Sequence, residues 1–233
     1  MRYVFEPHAR PVLPVSGSDA MFPVRRIFCV GRNYAEHARE MGATEQASGL
    51  EPPFFFTKPG DALIGGGGEL EVRYPPMTEN LHHEVEMVVA LSAGGANVTV
   101  DRALDLVFGY GVGLDLTRRD IQARAKAKGH PWDMGKAFDQ SAVCSSLRMA
   151  AEIGHPTRGA IWLKINEHMR QCGDLGEMGW KVAEIIANLS ALVCLAPGDL
   201  IYTGTPAGVG PLVRGDRVAA GVEGVAELRL RML

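Results

Sequence analysis

Short apolar runs separated by glycine and proline dominate the hydrophobic pattern of the chain and predict many short strands. Segments of this kind are rich in β-branched and aromatic residues and end at turn residues. Four successive glycines at 65–68 predict a flexible turn, because no Lys-Ser or Lys-Thr pair of a phosphate-binding loop follows them. The predicted strands cover residues 26–30, 54–57, 82–91, 109–117, 160–165 and 200–203.

Three segments show the period of a helix instead of the alternation of a strand. They cover residues 33–41, about 118–128, and 178–193. The last of these is the strongest helix prediction, because its apolar side chains fall near one face. Those side chains are Val182, Ile185, Ile186, Leu189 and Leu192.

The domain organisation follows from these elements. Residues 1–21 contain three prolines and no sustained period, which predicts an extended N-terminal arm. Residues 22–233 are predicted to form a single α+β domain dominated by strands, because no internal repeat divides them. The polar, weakly periodic segment 42–53 predicts a mobile loop.

Composition and charge exclude several classes of protein. The chain has 233 residues with 24 Lys and Arg against 27 Asp and Glu, which argues against a nucleic-acid binder or a polybasic membrane anchor. No apolar run approaches the roughly 18 residues of a membrane span, and the N-terminus shows no signal-peptide pattern. The four cysteines form no Cys-x-x-Cys pair and indicate free thiols in a reducing compartment. We therefore expect a cytoplasmic protein with no nucleic-acid or membrane partner.

Two acids within an apolar strand are the first sign of chemistry. Glu84 and Glu86 are two positions apart, so the period of a strand places both on one face. Adjacent carboxylates repel one another and are costly to bury, and a hard divalent cation is the simplest compensation. The alternative is an exposed strand face with ordinary solvated acids.

A third acid, Asp115, lies alone among aliphatic residues in the segment 112–117. It shares a face with Gly113 and Thr117, which predicts room for a ligand. Two carboxylates on one predicted strand and a third on another match the oxygen-rich, incomplete shell that Mg²⁺ or Mn²⁺ accepts. Against a divalent cation they leave one negative charge, which Lys136 could offset.

His37 and Glu40 have a spacing that stacks two side chains on one face of a helix. A carboxylate bound to an imidazole raises its basicity, and such a pair can activate a water molecule. A solvated helix face is the alternative. A zinc site using His82 with Glu84 has weaker support, because no Cys and no His-x-x-x-His spacing accompanies it.

Seven ordered stretches of the chain carry a resemblance to a known family. They are CVGRNYAEHAREMG (29–42), FFTKPGDALIG (55–65), LHHEVEMVVAL (81–91), GYGVGLDLTRRDIQ (109–122), KGHPWDMGKAFD (128–139), WLKINEHMRQ (162–171) and PGDLIYTGTPAGVGPL (197–212). These stretches resemble the fumarylacetoacetate hydrolase family, in its short single-domain branch of acylpyruvate hydrolases. The N-terminal stretches YVFEPHARPVLPV and FPVRRIFCVGRNYAEHAREMG most resemble the members of the family that hydrolyse fumarylpyruvate in gentisate-type aromatic catabolism.

The resemblance implies a fold, a cofactor and an assembly. The fold is the mixed β-sandwich or roll of the family's C-terminal domain, with a few helices, and the assembly is a homodimer. The cofactor is Mg²⁺ or Mn²⁺, and a lid around 37–53 orders over the substrate. The expected metal ligands are Glu84, Glu86 and Asp115, the expected catalytic residues are His37, Glu40, Lys136 and Gln122, and the expected substrate-binding residues are Arg32, Arg119, Lys136 and Thr205.

The implied activity is the metal-dependent hydrolysis of a C–C bond in a 2,4-dioxo acid, with fumarylpyruvate giving fumarate and pyruvate. His37 and Glu40 would deprotonate a water that attacks the C4 carbonyl, and the metal would stabilise the enolate of pyruvate that leaves. Lys136 and Thr205 would hold the pyruvyl carboxylate, while Gln122 would position the water or the oxyanion.

Three questions stay open at this level. The same fold and metal could serve oxaloacetate decarboxylation or an enol–keto or double-bond isomerisation. A noncatalytic Ca²⁺-binding β module is an alternative of another class. A fumaryl substrate would also need a cation for its distal carboxylate, and the unranked candidates are Arg32, Arg39, Arg118 and Arg119.

Overall fold

The structure is a computed structural model that describes residues 2–42 and 52–233. None of the helices in these ranges has the length and apolar character needed to cross a membrane. The helices are α1 Ala35–Glu40, α2 Val100–Ala103, α3 Arg119–Lys128, α4 Asp133–Lys136, α5 Ala150–Ile153 and α6 Val182–Leu192, with short 3-10 helices at Gly60–Ala62, Leu104–Leu106 and Leu175–Glu177. The strands are β1 Val12–Pro14, β2 Met21–Pro23, β3 Arg26–Gly31, β4 Phe54–Lys58, β5 Leu63–Gly66, β6 Glu69–Val72, β7 Leu81–His83, β8 Val85–Leu91, β9 Val107–Asp115, β10 Thr117–Arg118, β11 Ala142–Ser145, β12 Arg148–Met149, β13 Ala160–Ile165, β14 His168–Asp174, β15 Asp199–Tyr202, β16 Gly210–Leu212, β17 Arg217–Val222 and β18 Ala226–Met232.

Two sheets enclose the principal hydrophobic core. The larger has eight strands in the order β4-β3-β15-β8-β9-β11-β5, with β12 beside β9, and the smaller has five in the order β14-β13-β17-β18-β6. Val89 and Tyr110 of the larger sheet share one buried cluster with Leu163 and Leu228 of the smaller, and Ile186 of α6 belongs to it as well. The strand-dominated α+β fold predicted from the sequence is therefore confirmed.

A second core covers the opposite face of the large sheet. The hairpin of β1 and β2 lies there and inserts Leu13, which is fully buried. The prediction of a flexible turn at 65–68 is wrong at Gly65 and Gly66, because both lie in β5 and pair in parallel with β11. A Cβ at Gly65 would overlap the Leu13 side chain, so glycine is needed there for packing. Part of the segment predicted as an extended arm thus forms paired strand.

The two central strands change sheets next to the acidic positions. The strand predicted at 82–91 is divided at Glu84, which separates β7 from β8. The strand predicted at 109–117 is divided at Leu116, which separates β9 from β10. Strand β7, which precedes Glu84, and strand β10, which follows Leu116, join β16 in a separate three-stranded sheet. Because the backbone N–H of Asp115 donates to the carbonyl of Glu84 (2.9 Å), the two crossing points lie side by side.

The predicted helices are found, but two of them begin later than predicted and one buried face differs. Helix α1 begins at Ala35 and not at 33, and helix α6 begins at Val182 and not at 178. At the start of α6, Glu184 Oε2 accepts the backbone N–H of Lys181 (2.8 Å). Leu192 was predicted on the buried face, but it is 69% exposed because it lies in the last turn. Helix α3 ends as a glycine C-cap predicts, at Gly129 with φ +64°.

Candidate metal centre and active-site cavity

The three acids predicted to bind a cation lie together in the structure. One carboxylate oxygen from each of Glu84, Glu86 and Asp115 lies within 4.8 Å of the other two. Their exposures are 5%, 2% and 0%, so the cluster is buried and not a solvated strand face. Glu86 is the second residue of β8 and Asp115 is the last residue of β9, and these strands are antiparallel neighbours. The backbone pairing of the two strands therefore sets the separation of the carboxylates.

The protonation of the cluster is set by burial and by the neighbouring charges. Burial raises the pKa of Glu86 well above its usual range, and the carboxylates of Asp115 and Glu84 raise it further. Burial also favours a higher pKa for Glu84, but the cations of Lys136 and Arg119 outweigh it and lower that pKa overall. The cluster offers only oxygen ligands, and its three carboxylates cannot all remain ionised without further positive charge. Both properties fit a hard divalent cation.

Two buried lysines contact the third carboxylate. Lys136 Nζ lies 2.7 Å from Asp115 Oδ2 and 2.8 Å from Glu84 Oε2, in the position of the predicted counter-charge. Lys58 Nζ lies 2.7 Å from Asp115 Oδ1 and donates to the carbonyls of Leu116 (3.1 Å) and Lys136. The Lys58 contact with Oδ1 lacks the alignment of a hydrogen bond, so Oδ1 accepts none among the described residues. Asp115 Oδ1 is therefore neutralised by Lys58 through an ion pair without accepting a directed hydrogen bond.

Arg119 connects the acidic cluster to Gln122. Its guanidinium pairs with Glu84 through Nη2 and donates to Gln122 Oε1 through Nη1 (2.6 Å). Its Nε donates to Nδ1 of His82 (3.3 Å), and Nε2 of that ring contacts Asn80 Oδ1 (2.9 Å). Both nitrogens of His82 are thus engaged within the protein, which disfavours the alternative of a zinc site at His82 and Glu84.

His37 and Glu40 form the predicted pair on α1. His37 Nδ1 lies 3.3 Å from Glu40 Oε2, and both oxygens of Glu40 also accept the backbone N–H of Gly208 at 3.3 Å. Burial lowers the pKa of His37, although the negative charges of Glu84 and Glu40 oppose this change. A neutral imidazole held by a carboxylate is in the state required of a general base.

One cavity gathers most of the predicted site residues. Asp115 and Glu40 do not line it, because Asp115 lies behind the surface of the cavity and Glu40 faces the loop after β15. An apolar wall completes the cavity, formed by Val30, Met41, Phe54, Phe56 and Trp132. The predicted site residues that line the cavity are Arg32, His37, Glu84, Glu86, Arg119, Gln122, Lys136 and Thr205.

The loop between β3 and α1 holds Arg32 at the cavity. Arg32 has φ +56°, a left-handed conformation that costs a non-glycine residue about 1 kcal/mol. The next residue, Asn33, offsets this cost with three hydrogen bonds. Its Nδ2 donates to the carbonyls of Trp180 (3.0 Å) and Thr203 (2.7 Å), and its Oδ1 accepts the N–H of Trp180 (2.7 Å). The Arg32 guanidinium then lies 5.7 Å from the centre of the Phe54 ring.

The structure separates the cations that were candidates for a distal carboxylate. Arg119 is already paired with an acid of the cluster, Arg118 does not line the cavity, and Arg39 pairs with a neighbour on the exposed side of α1. Arg32 lines the cavity and makes no ion pair among the described residues. Lys126 of α3 also lines the cavity and makes no ion pair among the described residues.

Some residues of the site were not predicted from the sequence. Lys58 ends an apolar strand just before Pro59, and a lone cation in that position is the signal that could have identified it. Gln171 is fully buried in β14, and its amide donates to Thr205 Oγ1 (2.8 Å). The prediction that Gly113 leaves room for a ligand is wrong, because a Cβ there would overlap the ring of Tyr202.

Comparisons with known proteins place the chain in one family. The family model for the C-terminal domain of fumarylacetoacetate hydrolase matches residues 26–233. A fumarylpyruvate hydrolase from a Ralstonia species is 45% identical over 78% of this chain and 93% of its own. A mitochondrial oxaloacetate tautomerase from Mus musculus is 40% identical over 89% of this chain and 91% of its own. A crystal structure of fumarylpyruvate hydrolase from Pseudomonas aeruginosa, in complex with Mn²⁺ and pyruvate, is 46% identical with a TM-score of 0.96 and covers 100% of this chain and 99% of that one.

Proposed function

The chain belongs to the fumarylacetoacetate hydrolase family, and we propose that it hydrolyses fumarylpyruvate to fumarate and pyruvate. One observation carries the proposal: the buried carboxylates of Glu84 and Glu86 and the imidazole of His37 face the same cavity. A cation site supplies a place for negative charge, and a neutral imidazole supplies a base for water. Hydrolysis of a C–C bond beside a carbonyl requires both.

The cofactor that we propose is Mg²⁺ or Mn²⁺, held by Glu84, Glu86 and Asp115. The Pseudomonas aeruginosa structure contains Mn²⁺ together with pyruvate, which supports a cation of this kind. When bound, a divalent cation supplies Lewis-acid stabilisation of negative charge on substrate oxygens. The hard oxygen donors of the cluster suit either ion.

His37 acts in this proposal as the base that removes a proton from the attacking water. Its Nδ1 faces Glu40 at 3.3 Å, which leaves Nε2 to accept the proton. Glu40 orients the ring and stabilises the imidazolium that forms, since the two groups then carry opposite charges. When the C3–C4 bond breaks, the imidazolium of His37 returns this proton to C3 of the departing pyruvate enolate.

Three side chains are proposed to bind the reacting end of the substrate. Lys136 uses two of its three N–H donors on Glu84 and Asp115, and the third is available to the pyruvyl carboxylate. Thr205 is proposed to donate to the same carboxylate from the loop after β15. Gln122 accepts from Arg119 through Oε1, so its Nε2 remains a donor for the oxyanion that develops at C4.

The far end of the cavity fits the fumaryl group. Arg32 and Lys126 are the cations proposed to bind the distal carboxylate, and the aromatic rings of Phe54 and Trp132 offer apolar surface to the planar carbon chain. The total charge is favourable as well. Three carboxylates at −3, three cations at +3 (the buried Lys58 and Lys136 and the partly buried Arg119) and one divalent cation at +2 sum to +2, which attracts a dianion.

We propose a homodimer and a cytoplasmic location, supported by the family and by the four free cysteines. We also propose that residues 22–233 form one catalytic domain, with a lid around 37–53 that excludes bulk water during the reaction. Most of that lid, residues 43–51, lies outside the described residues.

Oxaloacetate chemistry is the second candidate, favoured by the 40% identity to the mouse tautomerase. Oxaloacetate is a shorter dicarboxylate, and its isomerisation needs no attacking water. The His37–Glu40 pair and the apolar wall with Arg32 at its edge favour a longer substrate and a hydrolytic step.

A steady-state comparison of fumarylpyruvate, acetylpyruvate and oxaloacetate with Mg²⁺ and with Mn²⁺ tests the proposal. We expect the kcat/KM for fumarylpyruvate to exceed the other two by at least about tenfold, with fumarate and pyruvate as products. A higher kcat/KM for oxaloacetate would assign the second candidate instead. Calcium binding without turnover of any of the three acids would support a noncatalytic module.

A further inference from the structure

Gln171 is a fully buried amide behind the wall of the cavity, and both ends of its side chain are saturated with hydrogen bonds. Its Oε1 accepts from the backbone N–H of Val85 (3.1 Å) and contacts His83 Nδ1 (2.8 Å). Its Nε2 donates to Thr205 Oγ1 (2.8 Å) and to the carbonyl of Pro206 (2.8 Å). Gln171 therefore connects β7 and β8 to the loop that carries Thr205.

The two backbone groups fix which way this amide points. The N–H of Val85 can only donate, so the atom facing it must be the amide oxygen. The carbonyl of Pro206 can only accept, so the atom facing it must be the amide nitrogen. Reversing the amide would bury two mismatched pairs, which costs more than a lost hydrogen bond.

This fixed orientation sets the polarity of both side-chain partners. His83 must carry its proton on Nδ1, since it faces the amide oxygen, and its Nε2 has no partner among the described residues. Among the described residues, the bond to Gln171 is thus the one hydrogen bond that the His83 ring makes. Thr205 must accept through Oγ1, so its own hydroxyl hydrogen is not used on the amide.

We propose that Gln171, oriented by His83, is a positioning residue that fixes the Thr205 hydroxyl as a hydrogen-bond donor to the substrate carboxylate. Thr205 is 2% exposed and lines the cavity beside Glu86 and Lys136, so its hydrogen is directed to a group in that space. A hydroxyl donor prefers an anionic oxygen, and the bond is stronger than one between neutral groups. The proposal rests on the proposed function, because that function places a carboxylate at Thr205.

A double-mutant cycle between Gln171→Met and Thr205→Val tests the proposal with fumarylpyruvate as substrate and pyruvate as product inhibitor. Thr205→Val is expected to raise KM and the inhibition constant of pyruvate about tenfold, with a much smaller change in kcat, because ground state and transition state share this contact. Gln171→Met is expected to raise both constants about threefold to tenfold in the parent. In the Thr205→Val background it should change them by less than about 1.5-fold.

Equal effects of Gln171→Met in the two backgrounds would overturn the proposal, because Gln171 would then act without Thr205. Tyr110→Phe is the matched control for stability. It removes another side-chain hydrogen bond of a buried residue, the partly buried bond to His155 (2.6 Å), and Tyr110 does not line the cavity. This variant should lower the melting temperature and leave KM unchanged.

A second pair of variants keeps the proposal testable if Gln171→Met does not fold. His83→Asn retains an N–H donor near the position of Nδ1 and is expected to keep KM within about twofold of the parent, whereas His83→Leu should raise it about threefold or more. The same KM for both variants would overturn the proposal. A parent protein that turns over none of the three dioxo acids would overturn the proposed function. A parent that hydrolyses fumarylpyruvate but shows no coupling between Gln171 and Thr205 would overturn only the present proposal, so the two failures are distinguishable.

Discussion

Lys58 Nζ and Asp115 Oδ1 form an ion pair at 2.7 Å in which both side chains are completely buried. The same ammonium group donates to the carbonyls of Leu116 and Lys136, so one side chain joins β4 to the end of β9 and to α4. A buried pair of this kind is expensive to break, because the remaining partner stays buried without compensation.

Lys58→Met is therefore expected to lower the unfolding free energy of the metal-free protein by about 3 kcal/mol. Asp115 would then keep Lys136 as its one remaining counter-charge among the described residues, and a divalent cation would replace the lost charge. We expect Mn²⁺ to raise the melting temperature of this variant by more than it raises that of the parent. Urea denaturation with and without Mn²⁺ measures both effects.

Lys128→Met, at an exposed lysine, is the control and should change the unfolding free energy by less than about 0.5 kcal/mol. A metal-free Lys58→Met protein as stable as the parent would contradict the prediction.

Glu86→Gln should separate metal binding from folding. Because the pKa of Glu86 is raised by burial, a neutral amide resembles the protonated acid, and its oxygen can still accept the N–H of Gly204. We expect the metal-free melting temperature to stay within a few degrees of the parent, while the shift caused by Mn²⁺ and the turnover are lost. Glu152→Gln at an exposed acid is the control and should keep both. Chelation should likewise abolish the activity of the parent, and added Mn²⁺ should restore it. Full activity after chelation would exclude the metal role.

His37→Ala should lower kcat by about 10² to 10⁴, the usual contribution of a general base. Its effect on Mn²⁺ affinity, measured by calorimetry, should be less than about twofold, because His37 is not part of the acidic cluster. Glu36→Ala changes the neighbouring exposed residue of α1 and should leave kcat unchanged. If His37→Ala weakens Mn²⁺ binding and spares kcat, His37 is a ligand and not a base.

The pH dependence of kcat/KM should report the lowered pKa of His37. Burial lowers this pKa below 6.5, and the base works only when neutral, so activity should hold as the pH falls to about 6.5 and decline below the shifted pKa. Glu40 is one of the groups that raise the pKa of His37. Glu40→Gln should consequently move the acid limb to lower pH. A shift to higher pH would show that another group controls the limb.

Arg32→Met and Lys126→Met should affect the substrate with a distal carboxylate selectively. Each is expected to raise the KM for fumarylpyruvate about threefold to tenfold and to leave the KM for acetylpyruvate unchanged, because acetylpyruvate has no second carboxylate. Arg39→Met, which removes an exposed cation of α1, is the matched control and should change neither value. Equal increases for both substrates would place Arg32 and Lys126 at the pyruvyl end.

Part of the site could be predicted because its signals are local. Glu84, Glu86 and Asp115 are acids within apolar strands, and the cost of burying charge makes such positions informative without any tertiary contact. His37 and Glu40 are neighbours on one helix, so their spacing alone brings them together. The strands and α3 were found for the same reason, since periodicity is a property of a short segment.

The contacts between distant segments could not be predicted in this way. Lys58 reaches the carbonyl of Leu116 across 58 positions, and His83 meets Gln171 across 88, so both pairs depend on the order of the strands in the sheets. The division of the predicted strand at Glu84 was also hidden, because alternation continues through a point where the chain passes from one sheet to another.

The sequence by itself determined the strand-rich fold class, the family and the acids of the candidate metal site, because each depends on residue types and short spacings. Only the tertiary structure decided how the charges are balanced, which cations remain for the substrate and how the amide of Gln171 points. The physical reason is that charge compensation and hydrogen-bond polarity are properties of neighbours in space. Those neighbours come together only in the folded protein, where the chain passes from one sheet to another at Glu84 and at Leu116.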